Sequence, residues 1–218
     1  MKRCIDWLAA GLGLVLLSPL LFTVALLVRW RLGSPVLFRQ QRLGRNAEPF
    51  VLLKFRTMTT AVDGEGYALP DHQRLTKLGR FFRRTSIDEL PELFNVLQGK
   101  MSLVGPRPLL LRYLPYFTEE EMVRFTVRPG ITGLAQVSGR NEASWDQRMA
   151  KDVQYVRTWS QSQDISILLR TVSKVFSSQG VQEDPMSAMV DFDEERRQRN
   201  IGPFRELQAP ERIETCCE

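Results

Sequence analysis

The chain has 218 residues with 30 Lys and Arg against 25 Asp and Glu, a formal net charge of +5, so anionic partners are expected over cationic ones. A single histidine, His72, and three cysteines, Cys4, Cys216 and Cys217, leave no raw material for a histidine-rich metal site, a zinc spacing or a disulfide framework. Any acid–base or metal chemistry falls to carboxylates, which points to a hard, oxygen-liganded cation such as Mg2+.

The first element is "WLAAGLGLVLLSPLLFTVALLV", uncharged from Trp7 to Val28. As one straight helix it measures about 33 Å, enough to cross a ~30 Å hydrocarbon core. The run is too long for a signal-peptide core, and arginines follow it instead of a cleavage site. Ser18-Pro19 at its middle predicts a kink, since proline removes a backbone donor. Lys2 and Arg3 precede the run, while Arg29, Arg31, Arg39, Arg42 and Arg45 follow it. Positive charge favours the cytoplasmic side, and here both flanks carry it. A re-entrant hairpin that enters and leaves by one face satisfies both ends and is preferred; a proline-kinked spanning helix is the alternative.

Next, "SPVLFRQQRLGRNAEPFVLLKFRTM" predicts a β-hairpin over about Val36–Met58, two extended runs around a Gly/Asn/Pro turn. A polar loop, "TTAVDGEGYALPDHQ", leads to "RLTKLGRFFRRT", a basic amphipathic helix. Such a helix suits either an anionic membrane interface or ordinary packing on the domain. In "RRTSIDELPELFNVLQG", Ser86 and Glu89 have the spacing of a capping box. Pro91 prefers a first helical position, so a helix starting near Leu90 is equally compatible. Either way Asp88 and Glu89 sit at the positive end of a helix dipole. Capping alone accounts for them; handling of an anion is the other reading.

Capping boxes are also predicted at Thr118/Glu121 and Ser144/Gln147. A helix opens at Asp164 with Ile165, Leu168, Leu169, Val172, Val175 and Phe176 at helical spacing, stopping at Gly180. The final 38 residues have few apolar anchors and predict a loosely docked or disordered tail. Two loops carry arginines: "SLVGPRPLL" holds Arg107 between prolines, and "RPGITGLAQVSGRN" holds Arg128 and Arg140 around glycines. Arginine suits two-pronged phosphate contacts. Neither loop is a nucleotide-binding fingerprint. Nucleic acid is set aside as a partner, because the basic residues cluster near the apolar segment and the proline and glycine loops rather than among aromatic platforms.

Four stretches, in order, carry a resemblance: "PVLFRQQRLGRNAEPFVLLKFRTM", "RRTSIDELPELFNVLQGKMSLVGPRPLL", "VRPGITGLAQVSGRN" and "DVQYVRTWSQSQDISILLRTV". They resemble the bacterial sugar transferases, and within them the small monotopic phosphoglycosyl transferases, from about Met1 to Gly180. The resemblance implies an α+β, mostly helical fold. Its parts would be a re-entrant membrane helix-break-helix over 1–31, a cytoplasmic interfacial catalytic domain over 32–180 with a small β-hairpin and amphipathic helices, and a C-terminal tail over 181–218. It implies a location on the cytoplasmic face of the bacterial inner membrane, with membrane lipids as partners and a homodimer allowed.

The implied reaction transfers a sugar-1-phosphate from a UDP-sugar to polyprenol (undecaprenyl) phosphate and releases UMP. By resemblance Asp88 is the nucleophile, Glu89 helps hold Mg2+ with Asp88, Arg107 is the arginine of the Pro-Arg-Pro loop, and Ser18 and Pro19 form the membrane break. Lys54, Arg56, Arg128, Arg140, Asp152 and Tyr155 are the remaining candidates for substrate contact. Leu134 stands where many relatives carry an aromatic residue, so the donor pocket is expected to differ there. A glycosyltransferase releasing UDP and a non-catalytic basic membrane module are the competing readings.

Overall fold

The computed structural model describes residues 2–65, 67, 69–138, 143–177 and 190–204. Helix α1 is Lys2–Leu32, 31 residues with Pro19 inside it. The expected break at Ser18-Pro19 does not interrupt the helix. Pro19 has no N–H to give the carbonyl of Val15, and the Ser18 hydroxyl donates to that same carbonyl at 2.8 Å. The acceptor orphaned by the proline is thereby satisfied, so the helical run continues.

One stripe of α1 faces the domain. Ala10, Leu14 and Leu17 pack with Phe50, Leu52, Leu93, Val96 and Met101, and Leu21, Val24, Ala25 and Val28 pack with Phe55 and Phe82. The recurrence every three or four residues is what a helix lying on a core requires. Both ends are tied to that domain: Arg3 donates to the carbonyls of Val96 at 2.8 Å and Met101 at 3.1 Å, and Val28 is fully buried in the cluster at the other end. Leu8, Leu12, Val15, Leu16, Phe22 and Leu26 stand exposed on the outer side. The helix is long and apolar enough to cross a membrane, and a continuous apolar face of this kind suits lipid.

The predicted hairpin forms. β1 (Leu37–Leu43) and β2 (Pro49–Phe55) pair antiparallel, with Leu37 opposite Phe55 and Leu43 opposite Pro49. After the short α2 (Asp71–Arg74), α3 (Lys77–Thr85) is capped by Thr76, whose hydroxyl accepts from the Gly79 N–H at 2.9 Å. It buries Phe82 and exposes Phe81. A Cβ at Gly79 would lie 1.9 Å from the carbonyl oxygen of Thr57, so α3 rests directly on the chain leaving β2.

Ser86 is not the predicted N-cap. It adopts φ 56°, closes the C-terminus of α3 and makes no side-chain cap. The next turn, Ile87–Glu89, is a separate 3-10 segment, and α4 (Glu92–Leu97) begins after Pro91. The left-handed residue lets the chain reverse between the two helices, which a continuous helix from Ser86 would prevent.

The arginine loops contain a sheet that local sequence does not reveal. β3 (Ser102–Val104) and β4 (Gly130–Thr132) pair in parallel, Ser102 beside Gly130 and Val104 beside Thr132. The glycines here serve backbone-to-backbone approach instead of ligand approach: a Cβ on Gly130 would lie 2.1 Å from the Gly105 nitrogen, and one on Gly133 would lie 2.1 Å from the Gly105 carbonyl oxygen.

Thr118 and Glu121 exchange the two predicted capping bonds, at 2.8 and 3.3 Å. After α5 (Leu134–Ser138), α6 (Trp145–Arg157) opens on the predicted Ser144/Gln147 box. α7 (Gln161–Ser177) starts three residues before the expected Asp164, because the Ser160 hydroxyl accepts from the Gln163 N–H at 3.2 Å and Asp164 turns its carboxylate to other partners. Its buried anchor is Ile167, while Ile165, Leu169 and Val172 are exposed. Gly180, the expected stop, lies outside the described residues.

Part of the expected loose tail is core. α8 (Phe192–Gln198) places Phe192, 0% exposed, among Tyr113, Phe117, Trp145 and Met149. Arg196 of α8 pairs with Glu121 at 2.5 Å under cover. The Phe192 anchor, the buried Arg196–Glu121 pair, and bonds from Tyr113 to Asp191 and from Trp145 to the Val190 carbonyl dock a segment that its overall polarity marked as unanchored.

Candidate active site

Asp88 and Glu89 lie in the 3-10 turn between α3 and α4, and two distant segments meet them. β2 brings Lys54, whose Nζ is 2.6 Å from Glu89 Oε1 and 3.2 Å from Glu92 Oε1. The 105–110 loop brings Arg107, whose Nη2 donates to the same Glu89 Oε1 at 2.9 Å. Asn95 sets the register between α4 and β2. Its side chain donates to the Val51 carbonyl at 2.8 Å and accepts from the Leu53 N–H at 3.1 Å, filling hydrogen bonds of the strand edge next to Lys54. Sequence reading missed Asn95 and Glu92; the available signal was two polar residues on the buried side of a short apolar helix.

The carboxylates have different environments. Burial pushes the Glu89 carboxyl up, but the charges and hydrogen bonds of Lys54 and Arg107 outweigh it and hold Glu89 at about 2. Burial, then the Glu89 charge, push Glu92 up to about 7, against the pull of Lys54 and Arg107. Asp88 is 8% exposed. Burial and the neighbouring Glu89 raise its carboxyl above the ordinary aspartate value, with Lys54, Arg83 and Arg107 opposing. Among the described residues no hydrogen bond or ion pair engages the Asp88 side chain, so its oxygens stay available in a poorly solvating site. A carboxylate in that state is a stronger nucleophile than one tied into an ion pair.

Arg107 is held from behind. Arg124, in the 3-10 segment Glu121–Thr126, donates to the Arg107 carbonyl at 2.7 Å and to Asp152 Oδ2 through Nη2 at 2.8 Å and Nε at 3.2 Å. Asp152 therefore sits in a buried pair that supports the Arg107 loop. Tyr155, one turn further along α6, is likewise enclosed: its hydroxyl donates to Asp164 Oδ1 at 2.7 Å and lies 3.1 Å from the Val104 carbonyl, beside Lys2. Arg124 was not singled out from sequence, since its role depends on a partner 28 positions away.

The remaining candidates are dispersed. Buried Arg56 donates to the Ser34 carbonyl at 2.9 Å, tying the end of the hairpin to the exit of α1. Arg128 donates through Nε to the Gly99 carbonyl at 2.8 Å and lines a cavity apart from the Asp88–Glu89 turn. Arg140 lies outside the described residues. Of the sequence candidates, Lys54, Asp88, Glu89 and Arg107 come together.

The donor set also bears on a metal. Among the described residues no group of three Asp, Glu, His or Cys side chains is arranged to hold an ion. Asp88 and Glu89 remain as two adjacent oxygen donors, and both cation contacts to Glu89 use Oε1. Such a pair fits Mg2+, which keeps several waters and takes further ligands from substrate phosphates instead of needing a protein cage.

A family model described as bacterial sugar transferase matches residues 1–178. The chain is 53% identical over 184 residues to an uncharacterized sugar transferase, EpsL, of Bacillus subtilis, covering 84% of this chain and 91% of that one. It is 43% identical over 187 residues to the UDP-glucose:undecaprenyl-phosphate glucose-1-phosphate transferase of Caulobacter vibrioides, covering 81% and 70%. With the exopolysaccharide production protein ExoY of Rhizobium meliloti it shares 37% identity over 196 residues, 82% of this chain and 87% of that one. The matched span takes in α1, the hairpin, the Asp88–Glu89 turn and both arginine loops, and the chain belongs to the bacterial sugar transferase family.

Proposed function

We propose that this chain transfers a sugar-1-phosphate from a UDP-sugar to polyprenol phosphate, undecaprenyl phosphate in bacteria, through a covalent intermediate on Asp88. One observation carries the reading: a buried carboxylate without a hydrogen-bonding partner among the described residues, beside a second one clamped by Lys54 and Arg107. A relative named as a glucose-1-phosphate transferase to undecaprenyl phosphate supports the donor and acceptor classes.

In the first step an Asp88 oxygen attacks the phosphorus that bears the sugar. The bond from that phosphorus to the bridging oxygen breaks, and UMP leaves with the bridging oxygen and its electron pair. In the second step a phosphate oxygen of the lipid attacks the same phosphorus. The bond to Asp88 breaks, the carboxylate is restored, and polyprenol-diphosphate-sugar departs. Both attacks bring an anion onto an anion, so repulsion must be offset. Lys54 and Arg107 supply fixed positive charge at the turn and keep Glu89 ionised. Asp88 and Glu89 would hold Mg2+ together with donor phosphate oxygens, and the ion would neutralise charge on the diphosphate. Arg124 and Asp152 keep the Arg107 loop in place. Arg140 is assigned to the donor phosphates by family resemblance.

The reaction needs a site where lipid and water meet. α1 is about 46 Å long, yet its two ends contact one domain through Arg3 and Val28. A helix crossing the bilayer would carry one of those ends to the far side. This supports a monotopic arrangement in which α1 stays at the cytoplasmic face of the inner membrane with its outer apolar side in lipid, and the exposed Ile165, Leu169 and Val172 of α7 would rest at the same interface.

Asp88→Asn keeps the side-chain volume and removes the nucleophile. UMP release from a UDP-sugar with undecaprenyl phosphate should fall by at least about a thousandfold, while membrane association persists. Wild-type protein given donor alone should release about one UMP per chain and gain a sugar-phosphate on the Asp88 peptide. Turnover near wild type in the variant overturns the scheme, and release of UDP in place of UMP identifies an ordinary glycosyltransferase.

A further inference from the structure

We infer that the open cavity lined by the start of α1, β3, the 126–128 turn and the end of α6 binds a phosphate ester, as a site distinct from the Asp88–Glu89 centre. Its volume is about 390 Å3, and Lys2, Arg3, Arg45, Arg128, Tyr155 and Trp159 are among its walls. Lys54, Asp88, Glu89 and Arg107 are not. The space is ample for a nucleoside monophosphate or a lipid headgroup and far larger than a single ion needs.

The charge on the walls is unbalanced. Lys2 is matched by Asp164, with which it forms an ion pair. Three arginines then face one lining carboxylate, Asp6, and its oxygens are already engaged by the Ser102 hydroxyl at 2.8 Å and the Leu103 N–H at 3.1 Å. Among the described residues none of Arg3, Arg45 and Arg128 forms an ion pair with a carboxylate. Each is anchored on main-chain carbonyls: Arg3 on Val96 and Met101, Arg45 through Nε on Thr126 at 3.2 Å, and Arg128 through Nε on Gly99 at 2.8 Å.

That anchoring is specific in form. Arg45 and Arg128 are held by Nε alone, so their terminal nitrogens make no hydrogen bond within the described residues. A guanidinium steadied at Nε and open at both terminal nitrogens presents the fork that two oxygens of a phosphate accept. Gathering such cations around one cavity whose single lining carboxylate is already engaged by Ser102 and Leu103 is costly until an anion enters. The walls favour a lipid as the source of that phosphate. Trp7 and Leu8, exposed at 50% and 74%, lie one turn beyond Arg3 on α1, with the Trp7 ring 4.7 Å from the Arg3 guanidinium, and Trp159, 42% exposed, also lines the cavity. Tryptophan beside cations at the edge of an apolar helix belongs at the headgroup level of a bilayer.

The test uses the full chain in neutral detergent, titrated separately with short-chain phosphatidylglycerol, short-chain phosphatidylcholine and UMP. Binding is read as affinity and as hydrogen-exchange protection of the 126–131 amides. Phosphatidylglycerol should protect these amides, and Arg45→Gln combined with Arg128→Gln should weaken its binding roughly tenfold or more. Asp88→Asn should bind as wild type does, which separates this site from the transfer reaction and keeps the outcome independent of it. If UMP protects the segment and phosphatidylglycerol does not, the phosphate site stands with a soluble ester as its source. If the double variant does not fold, Arg45→Gln on the exposed turn and the protection of the wild-type chain decide. No protection by any of the ligands, or binding unchanged by the substitutions, overturns the inference.

Discussion

Replacing Asp152 with alanine removes one member of a pair whose side chains are 3% and 2% exposed, Asp152 and Arg124. The Arg124 guanidinium would stay buried, keeping its bond to the Arg107 carbonyl but losing both contacts to Oδ2. Breaking a buried pair from one side costs about 3–5 kcal/mol. Asp152 Oδ1 has no hydrogen-bond partner, and burial already pushes the carboxyl up against the pull of Arg124. The native pair is thus imperfectly compensated, which puts the loss near the lower end, about 3 kcal/mol. For a chain of this size that lowers Tm by roughly 6–12 °C. The assay is thermal unfolding in detergent followed by tryptophan fluorescence. Arg124→Met with Asp152→Leu should regain most of the loss, because no buried charge is left behind. A single variant with Tm within about 2 °C of wild type and a sharply raised KM for the donor would mean that Asp152 touches substrate and does not support the loop.

Three further outcomes are expected. Glu92, pushed up to about 7 from an ordinary 4.5, binds its proton more tightly folded than unfolded, so it removes stability as pH rises between those values. Glu89, held at about 2, acts in the opposite sense: its contribution is present above 4.5 and is lost as pH falls toward 2. Glu92→Gln retains an acceptor for Lys54, flattens the fall in Tm between pH 5 and 7 and exceeds wild type at pH 8; parallel Tm profiles would refute the assignment. Phe192→Ala should cost about 3–5 kcal/mol, read as a lowered Tm, whereas a docked but dispensable tail predicts no change. Gly79→Ala places a methyl group 1.9 Å from the Thr57 carbonyl oxygen and should destabilise by about 1–3 kcal/mol or more; an unchanged Tm would show that α3 does not rest on that carbonyl.

Much of the chain was legible from short-range pattern. The apolar run, the hairpin and the two capping boxes at Thr118/Glu121 and Ser144/Gln147 all depend on residues a few positions apart, and all are present. Ser86 shows the limit of that reasoning, because the spacing to Glu89 was right and the backbone there is left-handed. A pattern states which bonds are possible, while the turn that Phe82 and Asp88 need to reach their places states which are made.

The amino-acid sequence alone determined that this chain has an apolar helix, a hairpin, adjacent acids before a proline and arginines in glycine and proline loops. Those features are written in composition and in spacings of two to four residues, where local sterics and hydrogen bonding decide. Only the tertiary structure decided which charges meet. Lys54 and Arg107 reach Glu89 from positions 35 and 18 residues away, Asp152 turns to Arg124 and not to the turn that holds Asp88, and Phe192 returns from the tail into the core. Such pairings depend on how segments pack across the whole domain, and the energy of a buried charge is set by the neighbours that packing supplies.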